Sequence, residues 1–311
     1  MNIAVIGVGG VGGYFGGKLA QLLPRKSDLN IYFIARHRHL EEIKKNGLLL
    51  DTDDGQMICR PTGATDAISE LPVLDWCLIC VKSYDLENAL MQLKDKIADR
   101  TMILPLLNGV DIYERIRSVI ANGIVFPSCV YIGTHIEKPG KVTQQGGAGI
   151  IHFGKDPAND YVDPEIFRLL DEAQIRYNWT ENPYIEIWSK FVFIGAFGLV
   201  TANFNKTLGE VMESEELSGY VKDIMREIVA ITAKKNVALP PTIVDDSYLK
   251  GHNFPYELKT SFQRDVEITD KPDERDLFGG TVIRMGKDLG VPVKTTQFIY
   301  DALQQKKKVP K

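Results

Sequence analysis

"NIAVIGVGGVGGYFGGKLAQ", residues 2–21, is the stretch on which the reading of the chain turns. Its charge-free apolar start reads as a buried strand, and the glycines that follow open a helix. Gly7, Gly9 and Gly12 stand in G-x-G-x-x-G spacing. Gly7 allows the tight turn, Gly9 lets the backbone approach a pyrophosphate, and Gly12 lets the helix pack close to the strand. Unpaired amides at the helix N-terminus then face the phosphates. Glycine-rich turns alone are common, so the strand before and the helix after carry the specificity. Gly7, Gly9, Gly10, Val11 and Gly12 are the expected cofactor-binding backbone.

Working outward, "NIYFIA" (30–35), "DWCLICV" (75–81) and "TMILPLL" (101–107) read as further buried strands, separated by helical stretches such as "HLEEIKKNG". Such alternation implies a mainly parallel sheet with helices on both faces. Between residues 123 and 180 the texture becomes strands joined by Pro-Gly and Gly-Gly turns, with a helix near 163–173 and a short strand at "IRYNW". From Pro183 onward it is almost wholly helical. The expected fold is α/β: a Rossmann-type dinucleotide-binding domain over residues 1–181, then an all-helical domain over 182–311.

The end of the second strand selects the dinucleotide. An NAD site usually places an acid there, about 20 residues after the glycines. Here "IYFIARHRHL" (31–40) supplies Arg36 and Arg38, with no acid before Glu41. A guanidinium binds a 2′-phosphate through charge-assisted hydrogen bonds, so Arg36 predicts NADP; the plain alternative is a solvated loop arginine. Lys82 in "CVKSYD" and Asn108 in "LLNGVD" end the next two strands, where open α/β sheets bind ligands. A cation and an amide there suit the nicotinamide ribose and an acidic substrate, although each alone reads equally as a loop or turn residue.

Composition excludes other classes. With 37 basic and 41 acidic residues, the net charge of −4 gives no footprint for nucleic acid or an anionic membrane. Cys59, Cys77, Cys80 and Cys129 are too few and scattered for a disulfide framework or a metal site, and read as reduced apolar residues of a cytoplasmic protein. Met1 leads into the first strand without the pattern of a signal peptide. The terminal "QQKKKVPK" reads as a solvated, fraying tail.

"WSKFVFIGAFGLVTANFNK" (188–206) sets Lys190 at the head of a charge-free run. The run reads as a buried helix, its apolar core being shorter than the roughly 20 residues of a membrane span. The bland reading of Lys190 is a snorkelling side chain. "KPDERDLFGGTVIRMGKDLGVPV" (271–293) reads as a helix from Pro272 near its first turn to Gly290, with Phe278, Val282, Met285 and Leu289 as its buried stripe. Glu274 heads that stripe, and complementing the helix dipole is its simple explanation.

Taken together, "GVGGVGGYFGGKLA", "ARHRHLEEIKKNGL", "VKSYDL", "LLNGV", "WSKFVF" and "KPDERDLFGG", in this order, resemble the ketopantoate reductase (2-dehydropantoate 2-reductase) family over essentially the whole chain. The resemblance implies NADPH in a cleft between the two domains and hydride transfer to the 2-keto carbon of a small acid, in pantothenate biosynthesis. It implies Lys190 as general acid, Glu274 and Ser261 as substrate anchors, and Lys82 and Asn108 as cleft residues; a homodimer remains open. A free lysine, with a pKa of about 10.4, is a weak acid, and an apolar surround lowers it toward the useful range. The chain departs from the family at Ile194, Gly198 and Gly279, where asparagines are common, and the Ser261–Glu274 loop is one residue longer. An alkyl group and a gap are therefore expected after Lys190 instead of two amides. Two alternatives stay open: a paralogous dehydrogenase for a more apolar 2-keto acid, and a non-catalytic NADP-binding sensor.

Overall fold

The computed structural model describes residues 1–268 and 271–307, and the chain divides into two compact units, Met1–Pro183 and Tyr184–Lys311. Residues 308–311 of the expected lysine tail, and residues 269–270 of the loop before Glu274, lie outside the described residues.

In the first unit β1 (Asn2–Ile6) leads into α1 (Gly10–Ala20), and β2 (Asn30–Ile34) into α2 (His37–Asn46). A hairpin, β3 (Leu48–Thr52) and β4 (Gly55–Cys59), and a short β5 (Gly63–Thr65) follow. Next come β6 (Leu74–Ile79), α3 (Leu86–Leu93), β7 (Ile97–Pro105), α4 (Ile112–Arg117) and β8 (Ile124–Val125). The unit closes with β9 (Ser128–Tyr131), β10 (Thr134–Lys138), β11 (Lys141–Gln144), β12 (Ile150–Gly154), α5 (Glu165–Glu172) and β13 (Arg176–Thr180).

The main sheet runs β5-β2-β1-β6-β7-β8 with every pairing parallel. Ile3, Ala4 and Val5, like Trp76, Cys77 and Leu78, are successive residues that face opposite sides of the sheet, and all are fully buried, as strands covered on both faces must be. Two smaller sheets, β10-β11-β3-β4 and β13-β12-β9, complete the unit. The hairpin in the first of these was not foreseen, although "LLLDTDDGQMIC" holds a turn sequence between alternating apolar residues.

That second sheet explains why α1 carries more glycines than a phosphate loop needs. A Cβ on Gly16 would crowd Val5 and Phe33 of the main sheet, whereas one on Gly13 or Gly17 would crowd Val142 or Leu50 of the other. The helix is packed between two sheets at near-backbone distance, and only glycine allows both approaches.

The cysteines sit as apolar residues. Burial pushes the Cys59 thiol up to about 11, and those of Cys77 and Cys80 further still. None of the four is in a disulfide.

The second unit comprises α6 (Tyr184–Phe204), α7 (Leu208–Glu213), α8 (Glu215–Lys234), α9 (Ile243–Leu249), α10 (Ser261–Glu267), α11 (Thr281–Leu289) and α12 (Lys294–Lys307). By length and composition α6 could cross a membrane, but 72% of its most apolar window is buried within the protein. It packs against α8, α9, α10 and α12, so its all-round apolarity is that of a core helix. Ahead of α11 lies a π-helical turn, Asp276–Gly280. Pro272 stands outside the helix, and Gly290 ends it in the left-handed conformation, φ 65°. Phe278 and Val282 are buried as expected, while Met285 and Leu289 are only partly covered.

Candidate active site

Strands β2, β1, β6 and β7 lie side by side and parallel, so their carboxyl ends form one edge. Along it stand, in order, Arg36 just past β2, Gly7 directly after β1, Lys82 past β6 and Asn108 past β7. With strands roughly 4.8 Å apart, the row spans on the order of 14 Å. Strand order reverses at β1, and that switch point is where open α/β sheets take ligands.

At Gly7, φ is 92°, and its N–H and that of Val8 both donate to the Ile34 carbonyl, at 3.1 and 2.9 Å. A Cβ on Gly12 would run into the Gly7 carbonyl, so the turn and the helix are locked together. Gly9 differs: a Cβ there would meet nothing within 4 Å. Packing therefore does not require a glycine at 9, whereas close approach of a phosphate to the backbone does. Gly10, expected to bind cofactor, has a packing reason as well, because a Cβ on it would press on the backbone of Thr134. These residues fit a dinucleotide, with the amides of the α1 N-terminus for its phosphates.

Arg36 is the N-cap residue of α2 and half exposed, with Nη1 3.2 Å from Asp85 Oδ2. Sequence reading missed Asp85, which arrives from the turn after β6 and shares no sequence pattern with Arg36. Exposed pairs of this kind are worth about 0–1 kcal/mol, so the guanidinium is readily redirected. Lys82 and Asn108 are partly buried, and the Lys82 carbonyl accepts from Asp85 N–H at 2.9 Å, closing the turn that carries Asp85. His39 was also unforeseen. Its Nδ1 accepts from Gly140 N–H at 3.0 Å, tying α2 to the β10–β11 turn, and burial holds its pKa below the usual value against an opposing contact with the Val8 backbone.

In the second unit three segments converge on one aromatic cluster. Phe191 stacks on Phe278 with centroids 6.1 Å apart, and Phe262 lies 5.1 Å from Phe278. Phe191 directly follows Lys190 on α6, and Phe262 directly follows Ser261 on α10. Phe278 N–H donates to the Glu274 carbonyl at 3.1 Å. The cluster thus fixes the backbones that carry Lys190, Ser261 and Glu274. Glu274 is 3% exposed, Lys190 is half-buried, and Ser261 is exposed at the start of α10. Beside Glu274, Arg275 makes a two-bond pair with Asp273, at 2.8 and 2.6 Å, and donates to the Leu303 carbonyl at 2.6 Å. This buried clamp holds the Glu274 turn to α12, and sequence spacing gave no hint of it.

The two glycines among the departures from the family pattern differ in the space they leave. At Gly198 there is room for a Cβ, which would meet the Phe262 ring at 3.6 Å in ordinary contact, so Phe262 bounds the expected gap. Gly279 is covered by Tyr300, which would stand 2.5 Å from a Cβ.

A parallel sheet with a glycine turn at its switch point, followed by a helical unit, is the architecture of a nicotinamide-dinucleotide-dependent oxidoreductase. Residues 3–158 match the family described as ketopantoate reductase PanE/ApbA, and residues 185–307 its C-terminal counterpart. The chain belongs to the ketopantoate reductase family. It is 26% identical to an uncharacterised oxidoreductase of Bacillus subtilis, YkpB, over 98% of both chains. The crystal structure of 2-dehydropantoate 2-reductase from Porphyromonas gingivalis superposes with a TM-score of 0.83 at 28% identity, covering 98% of this chain and 99% of that one. A D-mandelate dehydrogenase solved with NADH and anilino(oxo)acetate shares the fold, with a TM-score of 0.83 at 21% identity over 99% of this chain and 98% of that one.

Proposed function

We propose that the protein is a cytoplasmic, NADPH-dependent 2-keto acid reductase whose foremost substrate is ketopantoate, reduced to pantoate for pantothenate biosynthesis. The observation that carries this reading is the aromatic cluster of Phe191, Phe262 and Phe278, which gathers the segments bearing Lys190, Ser261 and Glu274. Bound NADPH supplies the hydride. Lys190 holds a proton at Nζ for the ketone oxygen, and its charge stabilises the alkoxide that develops there. The Ser261 hydroxyl donates to the substrate carboxylate, and the Glu274 carboxylate accepts from the substrate's terminal hydroxyl. Lys82 and Asn108, at the sheet edge, hold the nicotinamide ribose and the acid group. Arg36 turns from Asp85 to the 2′-phosphate and so favours NADP over NAD.

A second reading, a more apolar 2-keto acid, is favoured by Ile194 and by the rings of Phe262 and Tyr300 at Gly198 and Gly279, where amides would otherwise bind hydroxyls. The D-mandelate dehydrogenase neighbour is compatible with it. NADPH oxidation over a panel of 2-keto acids, including ketopantoate and its analogue lacking the hydroxyl, tests both readings. A site built to bind the hydroxyl discriminates by about 10⁴ or more, whereas an apolar wall cannot. Turnover of no 2-keto acid refutes both readings and leaves a non-catalytic NADP sensor.

A further inference from the structure

Apart from the sheet edge, the first unit holds an open cavity of about 900 Å³ beside the second half of α1, a size that suits a small ligand. Tyr14 and Lys18 line it from α1, Asp54 from the β3–β4 turn, and Asp171 and Arg176 from around the α5–β13 connection.

Two of these groups are under-used. Tyr14 is 4% exposed, and its hydroxyl has no hydrogen-bond partner among the described residues. Burial, and then the charge of Asp54, raise its pKa, so it stays protonated and able to donate. Gly149, at φ 62°, keeps room for this hydroxyl, since a Cβ there would stand 2.5 Å from Tyr14 Oη. Lys18 is 8% exposed, its Nζ 5.3 Å from the centre of the Tyr14 ring. It donates one hydrogen bond, 3.1 Å to the Gln174 carbonyl, and its carboxylate neighbour Asp54 lies at 3.8 Å with a side chain 74% exposed. An ammonium has three donors, and one hydrogen bond with one long pair to an exposed carboxylate compensates its burial only in part. Gln174 itself sits at φ 53°, in the position after α5 where glycine is usual, and that conformation aims its carbonyl at Lys18.

We propose that this cavity binds a free α-amino acid with an apolar side chain. The carboxylate meets Lys18, the Tyr14 hydroxyl and Arg176, whose charge already acts on Tyr14. The ammonium faces Asp54 and Asp171, and the side chain lies against Ile150 and the Tyr177 ring. The charge pattern selects this class. Two rim carboxylates repel a dianion such as phosphate, and an uncharged apolar molecule leaves the Lys18 donors without acceptors.

The test is calorimetric titration of the full chain with L-leucine and L-phenylalanine, using N-acetyl-L-leucine, L-leucinamide and inorganic phosphate as comparisons. Saturable binding with a Kd of roughly millimolar or tighter is expected for the free amino acids. Blocking either charged end should weaken it about tenfold or more, as should Arg176→Met or Tyr14→Phe. Arg176 is exposed and Tyr14→Phe removes one oxygen, so both variants should fold and bind NADPH as the wild type does. Failure of both amino acids to bind overturns the proposal. So does equal binding of N-acetyl-L-leucine, which would mark a simple anion site, or undiminished binding in both variants.

Discussion

Gly9→Ala separates cofactor binding from folding. No atom lies within 4 Å of a Cβ at position 9, where φ is −90° and ψ −149°. The variant should therefore fold, since its new methyl group meets no packed neighbour. The methyl group would instead stand where the pyrophosphate approaches the loop. Loss of one charge-assisted contact costs about 1.5–3 kcal/mol, hence roughly ten- to a hundredfold in affinity. Urea unfolding and fluorescence titration with NADPH, run on the same preparation, read the two quantities. The control is Gly12→Ala, whose Cβ would meet the Gly7 carbonyl and should lower stability by about 1–3 kcal/mol. Wild-type NADPH affinity in Gly9→Ala would refute the assignment of this loop.

Arg36→Ala should weaken NADPH roughly ten- to a hundredfold and leave NADH nearly unchanged, as read by parallel titrations; equal loss for both would remove the NADP preference. His39, its pKa lowered by burial, binds fewer protons folded than unfolded, so stability is full above the unfolded value of about 6.5 and declines as pH falls below it. Urea midpoints between pH 8 and 5 should fall by no more than about 1.4 kcal/mol per pH unit from this group, and His39→Gln should flatten the decline. Arg275→Ala removes the two-bond pair to the buried Asp273 carboxylate and the bond to the Leu303 carbonyl, and should cost about 3–5 kcal/mol in chemical denaturation.

What could be read from the sequence was whatever rests on local pattern. The strand, turn and helix of residues 2–21, the parallel strands and the helical second unit follow from periodicity and glycine spacing. The four-stranded sheet was missed because the two hairpins that form it, β3–β4 and β10–β11, are joined only by the pairing of β3 with β11, Leu49 opposite Lys141, strands far apart in the chain. Partner choice failed for the same reason: nothing local ties Arg36 to Asp85, or His39 to Gly140. Which side chain bounds the gap at Gly198 could not be read either, because a sequence does not say that Phe262 faces it. The Arg275 clamp was hidden differently, since a pair two residues apart does not share a helix face, and only the irregular backbone before the π turn lets it close.

On the proposed function, Lys190 donates the proton in ketone reduction. Single-turnover NADPH oxidation at saturating ketopantoate, in wild type and Lys190→Ala with NADPH affinity checked by titration, tests it most directly. The expected result is retained NADPH binding with the rate reduced about 10²- to 10⁴-fold. An unchanged rate in Lys190→Ala would contradict it and leave Lys190 as a snorkelling surface lysine.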